Sequence, residues 1–291
     1  MGLKLKRFNN AQRMWICVRK SRKWPIYVVL TFFAVLIIFP VFWMLSIAIR
    51  PNIDVFRYPL QIIPKVFSLE AFRKVLRNPK LIGYMVNSCV NSVIVTLIAT
   101  FVGIIAGYGV SRYNFKGKSL FNTFVISTQT IPSVTLIIPF FLLMVTYKLY
   151  DTRFGLILAY ISFALPYSIV MMVGYFNSIP KSYDEAARID GASDFRTLWK
   201  VIVPIAIPGI ISSMLYTFIL SWNEFVFAST LIRNDALKTI PIGIALLKGE
   251  ASYEWNVLMA MSLIGSIPVL AIYLIGQKYF ISGLGSGGVK G

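Results

Sequence analysis

The sequence predicts an all-α polytopic membrane protein with six transmembrane helices. Hydrophobic residues make up 57% of its 291 positions and the mean hydropathy is +0.72, whereas a soluble domain holds about 45–50% apolar residues. Apolar runs long enough to cross a bilayer, about 20 residues each, recur along the chain. Charged residues are only 14% of the total and gather in the intervals between those runs.

Residues 1–24 carry eight Lys/Arg and no Asp/Glu, which places the N-terminus in the cytoplasm by the positive-inside rule. The apolar stretch 25–49 exceeds the roughly 7–15 residues of a signal-peptide core, so it reads as a retained first span. Five more spans follow at 84–110, 120–147, 154–176, 205–232 and 257–281. Six crossings return the C-terminus to the cytoplasm, leaving 111–119 and 177–204 inside. The total charge bias is modest, because the external stretch 50–83 is itself basic. Pro40, Pro132, Pro139, Pro166, Pro208 and Pro268 fall within the spans. Each lacks an amide donor and is expected to kink its helix or end a segment of it. The division is thus a basic segment 1–24, a six-span domain 25–281 and a tail 282–291.

Composition also excludes functions. With no histidine anywhere, His-based triads and H-E-x-x-H zinc sites are impossible, and no metal site or catalytic constellation is expected. Cys17 and Cys89 form no C-x-x-C pair. The net charge of +18 suits anionic lipid headgroups rather than nucleic acid in a chain of this kind. Gly117-Lys118-Ser119 lacks the glycine a phosphate loop needs five residues earlier, where Arg112 stands.

The longest charged, amphipathic interval between spans is 180–204. Ser182 and Glu185 have capping-box spacing, Asp184 and Arg188 sit four apart as a stabilising pair, and Gly191 suits the left-handed position that stops a helix. Ser193 and Asp194 then start a second short helix whose Phe195, Leu198, Trp199 and Ile202 form one apolar stripe. Pro204 is expected to end it. Spacing alone leaves two readings open, a seat for another protein or an interfacial connector.

Glu185-Ala186-Ala187-Arg188-Ile189-Asp190-Gly191, nine further residues, then Val201-Ile202-Val203-Pro204 resembles the EAA loop of binding-protein-dependent ABC importer permeases. Val201 and Val203 stand where that pattern usually has Ile and Leu. Asn87-Ser88, Gly107-Tyr108 with Ser111 through Lys118, Asp151-Thr152, Ser178-Ile179-Pro180, Ser221 through Phe225 and the Gly-rich end extend the resemblance over nearly the whole chain, towards the smaller, MalG-type permease of carbohydrate importers. The resemblance implies a type I (MetI-like) permease fold in the bacterial cytoplasmic membrane. It implies a coupling helix carrying Glu185, Ala186, Ala187, Arg188, Asp190 and Gly191, seated in an ATPase subunit, and a tail whose Ser286, Gly287 and Gly288 approach the ATPase interface. The implied partners are a second homologous permease forming a heterodimer, two ATPase subunits and an extracytoplasmic solute-binding protein. ATP and magnesium would sit on the ATPases, with no cofactor on this chain.

Glu224 is the one acidic residue expected inside a span, where ionisable groups cost about 2.5–3.5 kcal/mol and usually face a cavity. It reads either as a gate or cavity group beside Trp222 and Asn223, or as a boundary or bundle-bonded carboxyl. Asn87 and Asn91 share a helix face and favour interhelical hydrogen bonding over a cavity role. A stand-alone ion-coupled transporter is the alternative, but it would call for more intramembrane carboxylates than Glu224 alone.

Overall fold

A computed structural model describes residues 24–59, 61–248 and 254–287, with side chains described to Tyr279. No strand occurs among them. Five helices are long and apolar enough to cross a membrane, and counting one bent pair as a single span gives six.

Helix α1 (Trp24–Ala48) runs through Pro40 and buries only Ser46, Ile47 and Ala48, at its end. Its apolar surface is otherwise bare, as suits a helix facing lipid or another subunit. Arg50 follows it at 2% exposure, donating Nε to the Ser46 carbonyl at 2.8 Å and Nη2 to that of Gln61 at 2.9 Å. These bonds fold the basic stretch 50–83 back onto the bundle. That stretch also contains a short helix, α2 (Glu70–Arg77), which buries Ala71 and Val75.

Helix α3 (Pro79–Arg112) is 34 residues long, about 50 Å at 1.5 Å per residue. Asn78 caps its start, accepting from the Lys80 amide, and Pro79 takes the first turn, where no amide is needed. Near that end the Tyr84 hydroxyl donates to Asp235 Oδ1 at 2.7 Å, with Lys80 and Lys238 also on the carboxylate. Tyr84 first, then the two lysines, hold the Asp235 carboxyl well below the usual carboxylate range.

The third expected span is not one helix. α4 (Lys118–Thr130) and α5 (Ile137–Thr146) meet at a 96° bend. The break falls at Pro132: the residue before a proline is disfavoured in the helical region, and Ile131 is extended at φ −76°, ψ 123°. Pro40, Pro166, Pro208 and Pro268, by contrast, lie inside helices that continue past them.

Helix α6 (Arg153–Ser178) packs along α3 in the most extensive interhelical contact of the described residues. Gly103 and Gly107 make this approach possible. A Cβ at Gly107 would lie 2.5 Å from Met172 Cβ, and one at Gly103 would lie 2.4 Å from Ser168 Oγ. Small residues four apart let two helix backbones meet where no hydrophobic force drives them together.

The interval after α6 forms α7 (Ser182–Ile189) and α8 (Asp194–Thr197). A π-helical turn over Leu198–Ile202 leads into α9 (Val203–Trp222). The expected fifth span therefore stops at Trp222 rather than at 232. Residues 223–225 interrupt it before α10 (Val226–Leu231). Then come α11 (Ile240–Leu247) and α12 (Trp255–Gly287). Helix α12 continues to Gly287, through the point where 282 was expected to begin a tail. Ser286 and Gly287 are its last residues, and Gly288 lies outside the described residues.

Candidate functional site

The amphipathic interval is built differently from its sequence expectation. Helix α7 starts from Lys181, whose carbonyl accepts the Asp184 and Glu185 amides at 3.0 and 3.1 Å. Ser182 lies inside the helix, so no capping box forms. Asp184 does not pair with Arg188. It is buried, where Oδ1 accepts from the Tyr108 hydroxyl at 2.7 Å and Oδ2 lies 3.0 Å from Arg112 Nε. Arg112 also donates to the Phe176 and Ile179 carbonyls at 2.9 and 3.1 Å. One guanidinium thus ties the end of α3, the end of α6 and the start of α7 together. Arg188 instead meets Asp194 at 3.0 Å on the exposed surface, a pair of little energetic weight.

The end of α7 matches expectation. Gly191 has φ +77°; its amide bonds to the Arg188 carbonyl and the Ala192 amide to that of Ala187, at 3.0 and 2.9 Å. That is a Schellman closure, which needs a left-handed residue. A Cβ at Gly191 would meet no atom within 4 Å, so only backbone conformation disfavours a side chain. Gly191→Val should therefore cost about 1–2 kcal/mol and redirect α8, with Gly191→Asn milder. Uptake by the assembled transporter checks this, and an unimpaired valine variant would remove the turn from the mechanism.

Ser193 caps α8 by accepting from the Arg196 amide. Leu198 and Ile202 enter a core cluster with Ile104, Tyr108, Met172 and Phe176, and Trp199 stacks on Phe101 at 5.8 Å. Phe195 leaves the expected stripe and is 71% exposed. Pro204 does not end the second helix. The Val203 amide reaches the Leu198 carbonyl across the π turn, and Pro204 falls in the first turn of α9, where a missing donor is tolerated.

The result is a two-faced element. Asp184 and Ala187 face the bundle, while Tyr183, Glu185, Ala186, Arg188, Ile189 and Asp190 are exposed. Ile189 is 86% exposed.

Residues 99–282 match the family described as binding-protein-dependent transport system inner membrane component. The chain belongs to that family. It is similar to the trehalose/maltose transport system permease protein MalG of Thermococcus litoralis, 34% identical over 261 residues, 89% of this chain and 93% of the relative. To the sulfoquinovosyl glycerol transport system permease protein SmoH of Agrobacterium fabrum it is 32% identical over 254 residues, 87% and 89% of the two chains. Among solved structures, a chain of a bacterial ABC transporter involved in the import of the acidic polysaccharide alginate aligns with TM-score 0.74 at 26% identity, covering 95% of this chain and 100% of that one. A chain of the MetNI methionine ABC transporter shares the fold, with TM-score 0.53 at 19% identity over 71% and 99% of the chains. This member of the permease family is one component of a larger transport system, and the reading as a stand-alone ion-coupled transporter is set aside.

The five candidate cavity residues of this permease do not form one site. Asn87 is a lock, donating to the Ala236 and Lys238 carbonyls at 2.8 and 2.9 Å and accepting from Arg153 at 2.6 Å. Asn91, at 1% exposure, lies within the helix bundle. Trp222 is buried, donating Nε1 to the Gly265 carbonyl at 3.1 Å and stacking on Phe218. Exposed Asn223 closes the end of α9 and lines a separate depression. Glu224 alone lines the cleft beside the bent helix pair. Its Oε1 and Oε2 accept the Phe227 and Ala228 amides at 2.7 and 3.0 Å, so it caps α10 at a break rather than lying inside a continuous span.

The residues missed from sequence are Tyr108 and Arg112. Their four-residue spacing puts them on one helix face, and that was the available signal. Nothing local pointed to Asp184 as their partner.

Proposed function

We propose that this chain is the membrane subunit of an ATP-driven sugar importer, moving a sugar or oligosaccharide into the cytoplasm by alternating access. The observation that carries the reading is α7: one face is fixed to the bundle through Asp184, Arg112 and Tyr108, while the opposite face is left bare. A push on the bare face is transmitted to α3 and α6 as a rigid-body movement, one way of switching between two packings. The transport system names of the relatives, trehalose and maltose among them, support sugar as the cargo class.

In this reading the loop 180–204 faces the cytoplasm, as do both termini. Glu185, Ala186, Ala187, Arg188, Asp190 and Gly191 form or shape the seat for an ATPase subunit, and Pro204 starts the span that moves. Ser286, Gly287 and Gly288 approach the ATPase interface. The assembly comprises a second homologous permease, two ATPases carrying ATP and magnesium, and an extracytoplasmic binding protein, in a bacterial cytoplasmic membrane.

ATP-dependent uptake of labelled maltose or trehalose by the reconstituted assembly tests the function. Within it, Glu185→Lys should weaken capture of the ATPase subunit at least about tenfold, since reversing a charge in a complementary interface costs well over 1.4 kcal/mol. Membrane insertion should be unaffected. Undiminished pull-down would remove Glu185 from the seat.

A further inference from the structure

Two helix interruptions and the proline of a continuous helix meet at one cleft of about 360 Å³, within the size range of small-ligand sites, about 300–1,000 Å³. Pro132 contributes the break between α4 and α5, Pro166 the proline of α6, and Glu224 the break between α9 and α10. Interrupted backbone at membrane depth persists only where protein buries it or where it lines a water-filled cavity. In secondary transporters, a different class, such broken helices build the substrate site. The cleft walls here are aromatic and polar together. The rings of Tyr167 and Tyr216 stack with centroids 3.6 Å apart and planes 20° apart, and Gln129 and Glu224 supply amide and carboxylate groups.

We propose that this cleft is a subsite for neutral polyhydroxylated substrate and that it discriminates against anionic sugars. A sugar ring has apolar C–H faces and a rim of hydroxyls. The tyrosine rings offer flat, apolar area with a polar edge. The Gln129 amide both donates and accepts, and the Glu224 carboxylate accepts hydroxyl donors. Among the described residues, no Lys or Arg lines the cleft. A uronate or sulfonate would therefore bring a second negative charge beside Glu224 with no described cation to offset it, at a cost of about tenfold in occupancy. The subsite rests on the sugar-importer reading and narrows its substrate class. It also separates this chain from the similar chain of the alginate transporter, whose cargo is an acidic polysaccharide.

The test uses the complete reconstituted transporter, with Cys17 and Cys89 replaced by serine and one cysteine introduced as Tyr216→Cys. Ser162→Cys, on the same cleft, serves as the second position should the first variant fail to assemble. Modification rates with cationic and anionic methanethiosulfonate reagents are each normalised to the rate with a free thiol. The cationic reagent should be favoured by about tenfold, and adding Glu224→Gln should bring the ratio near unity. Maltose, trehalose or arabinose should slow the labelling, and galacturonate should not. The proposal is overturned by no labelling at either position, which would mean that lipid or a partner subunit fills the cleft. It is equally overturned by a ratio indifferent to charge or to Glu224, by protection from galacturonate, or by no protection from any of the neutral sugars. ATP-driven uptake is followed in the same vesicles. If no sugar is taken up, the functional reading falls and the subsite with it; uptake with unselective labelling sinks the subsite alone.

Discussion

Asp184→Ala is expected to abolish uptake while leaving the spans inserted. The substitution strands the Arg112 guanidinium, whose side chain is only 5% exposed, and removes the acceptor of the Tyr108 hydroxyl. Breaking one half of a buried pair costs roughly 3–5 kcal/mol, far more than the exposed Arg188–Asp194 pair can supply, about 0–1 kcal/mol. The anchored face of α7 then loses its polar attachment, and movement of that helix no longer reaches α3. Asp184→Asn should be nearly as damaging, since it restores size but not charge. Arg112→Lys should also fail, because an ammonium cannot reproduce a fork that serves Asp184 and two carbonyls at once. ATP-driven uptake, scored beside the amount of assembled complex, reads the result. Normal transport by Asp184→Ala would show that α7 is held by its apolar contacts alone.

The second large effect concerns the seam between α3 and α6. Gly107→Ala puts a methyl 2.5 Å from Met172 Cβ and 3.1 Å from backbone atoms of Met172 and Val173. No rotamer relieves a clash with a Cβ and backbone, so the helices must separate. Overpacking of this kind costs about 1–3 kcal/mol. The damage extends beyond stability, because Arg112 lies little more than one turn further along α3 and its reach to Asp184 depends on that spacing. Gly109→Ala is the control: a Cβ there meets nothing within 4 Å, and alanine favours a helix over glycine by about 0.5–1 kcal/mol. Thermal unfolding in detergent should fall for Gly107→Ala and hold or rise for Gly109→Ala. Equal behaviour of the two would mean that the seam is not tight.

Both effects lie where the sequence was least informative. Asp184 carries two satisfactory local readings, a helix-start acid and a partner for Arg188 four residues on. Its actual partner lies 72 positions earlier in the chain, which no local spacing reveals. Pro132 and Pro166 look alike as letters, yet one breaks its span at 96° and the other sits within a continuous helix. The outcome depends on what surrounds the freed carbonyls. Trp222 and Glu224, two positions apart, read as a pair, but the helix ends between them. One side chain enters the core and the other lines the cleft.

By itself the sequence determined what is set within one helix or one turn: the apolar runs, and the stop at Gly191, because left-handed φ disfavours a Cβ. It also determined the permease family, through a loop motif whose spacing is local. The tertiary structure alone decided which face of α7 is fixed, which proline opens a span, and which polar residues share a cleft. Each of those choices is made among competing partners far apart in the chain, and only packing brings the winning pair within reach.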